Sequence, residues 1–335
     1  MSAQEQDTLL DVEDLVTRYP IGRGMVGTVT RREQLWVHAV SGVSFSVAPG
    51  EMVALVGESG CGKTSTAQSV IRMVDADSGS IRFRGREIAR LSHRDLRPLR
   101  REMQIIYQDP YESLDPRFRV RDTIEEPLKI HGIGAGKQDR EDKVLEAMTR
   151  AGLTPPELFI DRYPHELSGG QRQRVAIAAA LVLDPKLLIA DEPVSMLDVS
   201  VRAGILSLLD DLRQAGMGIL MITHDLSTAA HFANRIAVMY LGRIVEEGPA
   251  RDVVRNPQHP YTKALISVVP KRDPNEQTPP QILTGETPNP VHVPSGCRFH
   301  PRCPVAEERC KSIDPELRPA KAAAARDHRA ACVLT

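Results

Sequence analysis

The sequence predicts an α/β domain whose parallel sheet is covered by helices on both faces, with a helical insertion and a small irregular cysteine-containing extension. Three observations predict it. The stretch Gly57-Glu58-Ser59-Gly60-Cys61-Gly62-Lys63-Thr64 fits G-x-x-x-x-G-K-[ST], between an apolar run at 52–56 and a stretch at 64–74 able to continue as a helix. Downstream, short apolar runs at 186–190 and 219–223 alternate with helical patterns at 199–214 and 227–233, the order of parallel strands joined by crossover helices. Between these halves, residues 109–183 read as mostly helical, with breaks at Pro116, Pro127, 132–136 and Pro155-Pro156.

The other elements follow in chain order. Residues 9–17 and 43–47 read as strands, separated by a glycine-rich, basic loop at 21–34, and Pro49-Gly50 turns the chain into the 52–56 strand. Two more short strands are predicted at 80–83 and 103–107. Between them, 92–101 is a basic helix with Ser92 as its N-cap. A hairpin is predicted from strands 235–240 and 242–246 around Leu241-Gly242. Beyond Pro270 the composition shifts to Pro, Arg, Ala and Cys, which sets a domain boundary and gives units of 1–270 and 271–335.

Composition excludes several classes. The chain is 335 residues long, 41% hydrophobic and 26% charged, as in soluble globular proteins. Lys+Arg 43 against Asp+Glu 44 leaves a net charge of -1, so no global basic surface argues for nucleic acid. The N-terminal stretch MSAQEQDTLLDVED is acidic and lacks the basic-then-apolar order of a signal peptide. Apolar runs such as 175–183 are too short to span a bilayer. The expectation is a cytoplasmic protein, or one peripheral to a membrane. Four of the five cysteines, Cys297, Cys303, Cys310 and Cys332, fall in the last forty residues, and in a reducing compartment such clustering points to a metal centre sooner than to disulfides.

Strand, glycine-rich turn and helix together make a phosphate cradle. Backbone N–H groups close around the phosphates and the helix N-terminus adds its positive dipole end. Lys63 would reach the β- and γ-phosphates and the Thr64 hydroxyl would ligand Mg²⁺. Cys61 is read as a small side chain that fits, with no chemistry of its own. The apolar strand Leu187-Leu188-Ile189-Ala190 ends in Asp191 and Glu192. That places Asp191 on the Mg²⁺ side and lets Glu192 polarise an attacking water as general base. In Leu167-Ser168-Gly169-Gly170-Gln171, Ser168 is a good N-cap, and the two glycines let a phosphate approach the backbone.

LSGGQ followed by RQRVAIA, downstream of the P-loop and just before the two-carboxylate strand, resembles the signature of ATP-binding-cassette (ABC) ATPases. The resemblance implies a RecA-like P-loop nucleotide-binding domain with an antiparallel β subdomain and an inserted helical subdomain at about 109–183. It implies that Gly57, Glu58, Ser59, Gly60, Cys61, Gly62, Lys63, Thr64 and Ser65 bind ATP. Ser168, Gly169, Gly170 and Gln171 would touch the γ-phosphate held by a partner subunit. Gln108 resembles the Q-loop glutamine that reaches Mg²⁺ with Thr64 and Asp191. Asp198, in Ser195-Met196-Leu197-Asp198, resembles the D-loop aspartate, His224 the switch histidine and Tyr19 the aromatic residue that stacks on adenine. Catalysis is thus expected of Glu192, His224 and Gln108. Met196 and Asp115 depart from the usual residues at their positions, and neither removes a catalytic group.

One subgroup fits best. Residues 108–116, 259–265 and 296–304 resemble the QDPYASLNPR, HPYTKAL and CRFHPRCP elements of ATPases serving dipeptide and oligopeptide importers. A full LSGGQ is more similar to the F-type ATPase subunit than to its D-type sister, which implies a heterodimer. Two membrane permease subunits and an extracytoplasmic solute-binding protein would complete the complex, with this chain peripheral on the cytoplasmic face of the inner membrane. The subgroup also carries nickel, glutathione and oligosaccharides. A soluble, non-transport ABC ATPase and a non-catalytic nucleotide sensor are the rivals; one P-loop, no heptad insertion, and intact Glu192 and His224 speak against them. By spacing alone, Cys297-x₅-Cys303-x₆-Cys310-x₂₁-Cys332 is neither a zinc ribbon nor a ferredoxin run. The subgroup resemblance implies a [4Fe–4S] cluster on these four, with zinc second and inert thiols third; His300 and His328 are read as packing or surface residues.

Overall fold

The computed structural model describes residues 8–22, 34–109, 113–269, 281, 283, 285–320 and 327–334. Most of the predicted 21–34 loop, Pro110–Glu112 of the Gln108 stretch, and the boundary at Pro270 lie outside the described residues.

Along the chain, β1 (Leu10–Pro20) and β2 (Trp36–Val47) come first, β2 beginning seven residues before its predicted start at 43. Its first five residues are apolar apart from His38, but Ser41-Gly42, with Gly42 at φ 78, reads in sequence as a break although the strand continues through it. The fully buried β3 (Met52–Val56) feeds α1 (Lys63–Val70), which ends four residues before its prediction. Ile71 caps it, and Arg72 then takes a left-handed conformation at φ 58 that no helix continues through. After β4 (Ser78–Phe83) and the short β5 (Arg86–Glu87), α2 (His93–Glu102) starts where expected. The Ser92 hydroxyl accepts the Asp95 N–H at 3.3 Å, and α2 leads into β6 (Met103–Ile106).

The insertion carries α3 (Val120–His131), α4 (Lys137–Arg150) and α5 (Gly169–Leu181), which pack on one another. The predicted break at Pro127 is corrected: α3 runs through it. Buried Val120, Ile124 and Leu128 share one face, and burying it against α4 and α5 outweighs the hydrogen bond that Pro127 cannot donate. Gly132, at φ 65, ends the helix instead.

The remaining elements are β7 (Leu187–Asp191), α6 (Val199–Gln214), β8 (Gly218–Thr223), α7 (Leu226–Phe232), β9 (Arg235–Tyr240), β10 (Arg243–Pro249), α8 (Ala250–Arg255), α9 (Pro260–Ser267), β11 (Arg318–Pro319) and β12 (Arg329–Ala330). No helix among the described residues is long and apolar enough to cross a membrane.

The chain divides into two compact units, one of Met1–Leu10, Val47–Met52 and Arg84–Ile222, the other of Asp11–Ser46, Val53–Phe83 and Thr223–Thr335. In the first, β6, β7 and β8 pair in parallel, with Ile105 opposite Ile189 and Ile189 opposite Leu220. Strand β7 is buried at all five positions, so its apolar run is continuous instead of alternating. In the second, β3 pairs in parallel with β9, and β9 turns into antiparallel β10 through Leu241 and Gly242, at φ 42 and 81. The extension then adds strands to this sheet: β12 pairs with β10, placing Ala330 opposite Glu246, and β11 pairs with β12. A buried acceptor ties the join. Glu246 accepts the backbone N–H groups of Gln258 and His259 at 2.7 and 2.8 Å, and its Oε1 lies 2.7 Å from Nε2 of fully buried His328.

Candidate functional site

The P-loop belongs to the second unit. Gly57 leaves β3 against β9: a Cβ there would collide with the Met239 carbonyl. At Gly62, φ 107 and the Ala39 carbonyl both require glycine. Lys63, the first residue of α1, is 5% exposed, and its Nζ donates to the carbonyls of Gly57 and Glu58 at 2.8 and 2.9 Å. The side chain therefore arches over the loop, with its charge inside the turn. The Cys61 carbonyl accepts from Gly242 at 2.8 Å, anchoring the loop to the β9–β10 turn. Burial pushes the Cys61 thiol up and keeps it neutral, in keeping with a packing role. Thr64, Ser59 and Gly60 are exposed, and Ser65 is half-buried.

Tyr19, near the end of β1, is half-buried, and His224, directly after β8, is exposed. The next residue fixes the turn: Asp225 caps α7, accepting the N–H groups of Ser227 and Thr228 at 2.9 and 3.3 Å. Burial opposes charge on Asp225, but the Ser227 and Thr228 hydroxyls, which also donate to it, together with these N–H groups outweigh burial and hold the carboxyl below its usual range.

Around Glu58 stands a set of partners that the sequence reading missed. Its backbone N–H donates to the Tyr261 hydroxyl at 3.0 Å. Its carboxylate takes Arg302 Nη1 at 2.9 Å, Arg302 Nη2 at 3.3 Å and the Thr287 hydroxyl at 2.8 Å. Tyr261 and Arg302 both lie inside the HPYTKAL- and CRFHPRCP-like stretches, which resembled the subgroup without suggesting what they touch. Behind them Tyr240, Tyr261 and Phe299 form one cluster with ring centroids 4.7–5.4 Å apart.

The first unit carries the carboxylates. Asp191 ends β7 and is 3% exposed. Glu192 follows in a left-handed conformation, φ 45, that few non-glycine residues adopt. Its N–H donates to Ile222 at 2.9 Å, and its carbonyl accepts the Ser195 N–H and hydroxyl at 3.2 and 3.1 Å. This knot turns the half-buried Glu192 side chain toward Gln108, whose Nε2 donates to Oε2 at 3.3 Å. Burial and then the Asp191 charge raise the pKa of neighbouring Tyr107.

Ser168 caps α5 as predicted and closes a reciprocal box. Its hydroxyl accepts Gln171 N–H at 3.3 Å, and the Gln171 amide oxygen accepts Ser168 N–H at 2.9 Å. A Cβ on Gly170 would meet the Val201 side chain, so the signature glycine sits tight against α6, while Gly169 beside it is half-buried. Asp198 is the exposed residue before α6 and makes no side-chain cap, while Met196 and Val199 beside it are 60% and 81% exposed.

The metal site expected on the cysteines is not found as a formed ligand set: among the described residues, no three His, Cys, Asp or Glu side chains make a group that could hold a metal ion. The four thiols are nonetheless neighbours. Cys297 is pushed up to about 11, first by burial and then by Cys332, Cys310 and Cys303. A raised pKa keeps the thiol protonated, and the thiolate is the ligating form. His300 and His328 both bond to the protein, at Cys297 O and Glu246.

Comparison with known proteins decides the family. Residues 40–195 match the ABC transporter model, and residues 245–310 match the model of the oligopeptide/dipeptide transporter C-terminal region. The di/tripeptide transport ATP-binding protein DppF of Pseudomonas aeruginosa (strain UCBPP-PA14) is 44% identical over 313 residues, covering 93% of this chain and 94% of that protein. The chain belongs to the ATP-binding subunits of the dipeptide and oligopeptide ABC importer family. The probable peptide ABC transporter ATP-binding protein y4tS of Sinorhizobium fredii is 46% identical across 93% of this chain and 87% of its own length. The glutathione import ATP-binding protein GsiA of Escherichia coli (strain K12) is 48% identical over 86% of this chain, which spans 46% of GsiA. Among solved structures, the ATP-binding cassette MJ0796 in a dimeric post-hydrolysis state with ADP and Pi matches at TM-score 0.62. It is 27% identical, covering 72% of this chain and 99% of that one. As a member of this family, the subunit hydrolyses ATP to power transport through a membrane complex, and its fold is that of an ABC nucleotide-binding domain.

Proposed function

We propose that this chain powers import of di- and oligopeptides as the F-type ATPase of a heterodimer with a sister ATPase. Two permease subunits and an extracytoplasmic solute-binding protein complete the complex, docked at the cytoplasmic face of the inner membrane. The observation that carries this reading is the near full-length match to a di/tripeptide transport subunit, including the C-terminal region model over 245–310. In this reading residues 1–270 form the nucleotide-binding domain and 271–335 the extension.

The residues then divide the work. Residues 57–65 cradle the phosphates, with Lys63 the charge that the loop already holds inward. Tyr19 stacks on adenine. Thr64, Asp191 and Gln108 offer hydroxyl, carboxylate and amide oxygens, the hard donors that suit Mg²⁺, which supplies charge neutralisation on the phosphates. Glu192 takes a proton from the attacking water, oriented by Gln108, and His224 holds the γ-phosphate. Ser168, Gly169, Gly170, Gln171 and Asp198 serve the site of the sister subunit. The four cysteines enter without a mechanistic step. A [4Fe–4S] cluster, with zinc as runner-up, is proposed for them on the donor set alone.

Uptake of labelled dipeptide by vesicles containing the assembled complex tests the substrate class. ATP-dependent uptake that Lys63→Ala abolishes supports it; uptake of glutathione, nickel or an oligosaccharide in its place overturns it. Mixing Lys63→Ala and Ser168→Arg chains tests the heterodimer. Two copies of this chain sharing sites would partly restore hydrolysis, and recovery would remove the sister-subunit assignment.

A further inference from the structure

The P-loop of this chain carries a carboxylate, Glu58, one residue after its first glycine. The loop's task is to hold a polyphosphate, so an unpaired negative charge there opposes binding. The fold deals with it in a specific way. Arg302, 9% exposed, reaches from the short helical turn His300–Arg302 in the extension and grips Glu58 with both Nη atoms, at 2.9 and 3.3 Å. Thr287 bridges the pair, its hydroxyl donating to Glu58 at 2.8 Å and standing 3.2 Å from Arg302 Nη1. Arg302 also lies over the ring of Tyr240, whose neighbour Tyr261 accepts the Glu58 backbone N–H.

We propose that Arg302, with Thr287 and Tyr261, is a positioning latch for nucleotide binding: it neutralises Glu58 and holds the first turn of the P-loop in shape. The C-terminal extension would thereby be part of the nucleotide-binding apparatus of its own chain. Two separate contacts hold Glu58 in place. The fork-to-carboxylate geometry is bidentate and mostly sheltered from water, where such pairs act most strongly. The backbone bond to Tyr261 fixes the same residue from the other side, and Tyr261 is itself fully buried. Removing Arg302 alone would leave the Glu58 carboxylate without its counter-charge beside the phosphates, the costly half of a broken ion pair.

The inference rests on the P-loop binding ATP, so the test keeps the two apart. MgATP affinity and the KM and kcat for hydrolysis are measured on the full-length chain, with the sister subunit present for turnover. The variants are Arg302→Met, Glu58→Gln, their combination, and Lys63→Ala. Arg302→Met should weaken binding by about tenfold, raising KM with little change in kcat, and the loss should shrink at high salt. Glu58→Gln in the same chain should restore most of the affinity, because the charge that Arg302 opposed is gone. A structural anchor would show no such rescue. Wild-type affinity in Arg302→Met while Lys63→Ala fails to bind overturns the latch and leaves the P-loop reading standing. Normal binding in Lys63→Ala overturns both. If Arg302→Met does not fold, Arg302→Lys decides: it keeps a positive charge near Glu58 but loses the two-armed grip, so affinity should fall by less than tenfold, and wild-type affinity overturns the proposal.

Discussion

The Gln108 side-chain amide donates to the Glu192 carboxylate at 3.3 Å, joining the turn after β6 to the turn after β7. A neutral donor at that distance can orient a carboxylate without taking away its basicity. The left-handed backbone of Glu192, held by Ile222 and Ser195, aims the carboxylate from the other end. A side chain fixed at both ends suits a general base, which must meet one water in one direction.

Replacing Glu192 by Gln keeps size and hydrogen bonding and removes basicity. Steady-state hydrolysis, measured with the sister subunit, should fall by roughly 10²–10⁴-fold while MgATP still binds. Near wild-type turnover would take the general-base role away from Glu192.

The P-loop glycines should differ in tolerance. Gly60, at φ 77, faces open space where a side chain would begin, whereas at Gly62, φ 107, a Cβ would run into the Ala39 carbonyl. Asparagine accepts left-handed backbone better than other residues. Gly60→Asn should therefore leave thermal unfolding close to wild type. Gly62→Asn should cost on the order of 1–3 kcal/mol. Equal midpoints for the two would mean that the loop can shift away from Ala39.

Several elements around the candidate site were legible in the sequence, for physical reasons that differ by element. Strand β3 and the loop after it announce themselves because a buried parallel strand must be apolar throughout and the phosphate turn must be glycine-rich. Ser168 was legible as a cap because capping chemistry is local, and the Ser168–Gln171 box confirms it. Pro127 misled because a local breaker rule competes with the burial of a whole helix face. The Arg302–Glu58 pair was out of reach because its partners are 244 residues apart, and no periodicity encodes such a contact. Nor did the cysteine spacing say how far the thiols would converge.

His259 gives the fold a pH dependence that can be read directly. Its Nδ1 accepts the Tyr261 N–H at 3.1 Å, its backbone N–H donates to Glu246, and burial, with Lys263 adding to it, pushes its pKa down to about 3. The unfolded chain titrates this histidine near ~6.5. Between those values the unfolded state binds more protons, so stability falls as pH drops and is unaffected by this group above the window. The slope contributed is up to ~1.4 kcal/mol per pH unit. His259→Asn keeps an acceptor for Tyr261 and cannot titrate, so its unfolding midpoint should depend less on pH from about pH 6 to about pH 4. Parallel profiles for the two chains would show that His259 is not the group being titrated.

The extension has few large apolar residues with which to order itself. The structure supplies other anchors. Phe299 is 1% exposed within the aromatic cluster, Arg302 holds Glu58, His328 holds Glu246, and β12 pairs with β10. None of these contacts uses a cysteine side chain. Cys303→Ser should therefore remove the proposed [4Fe–4S] cluster while leaving MgATP affinity and the unfolding midpoint near wild type. Anaerobic purification followed by iron, sulfide and zinc analysis, with a visible absorption spectrum, provides the check. The wild-type chain should hold about four iron and four sulfide and show the broad absorption of a cluster, and the variant should lose both. Zinc near one per chain without iron would exchange the cluster for the runner-up. No metal in any preparation would make Cys297, Cys303, Cys310 and Cys332 packing thiols, as their burial already favours the protonated form at Cys297 and Cys303.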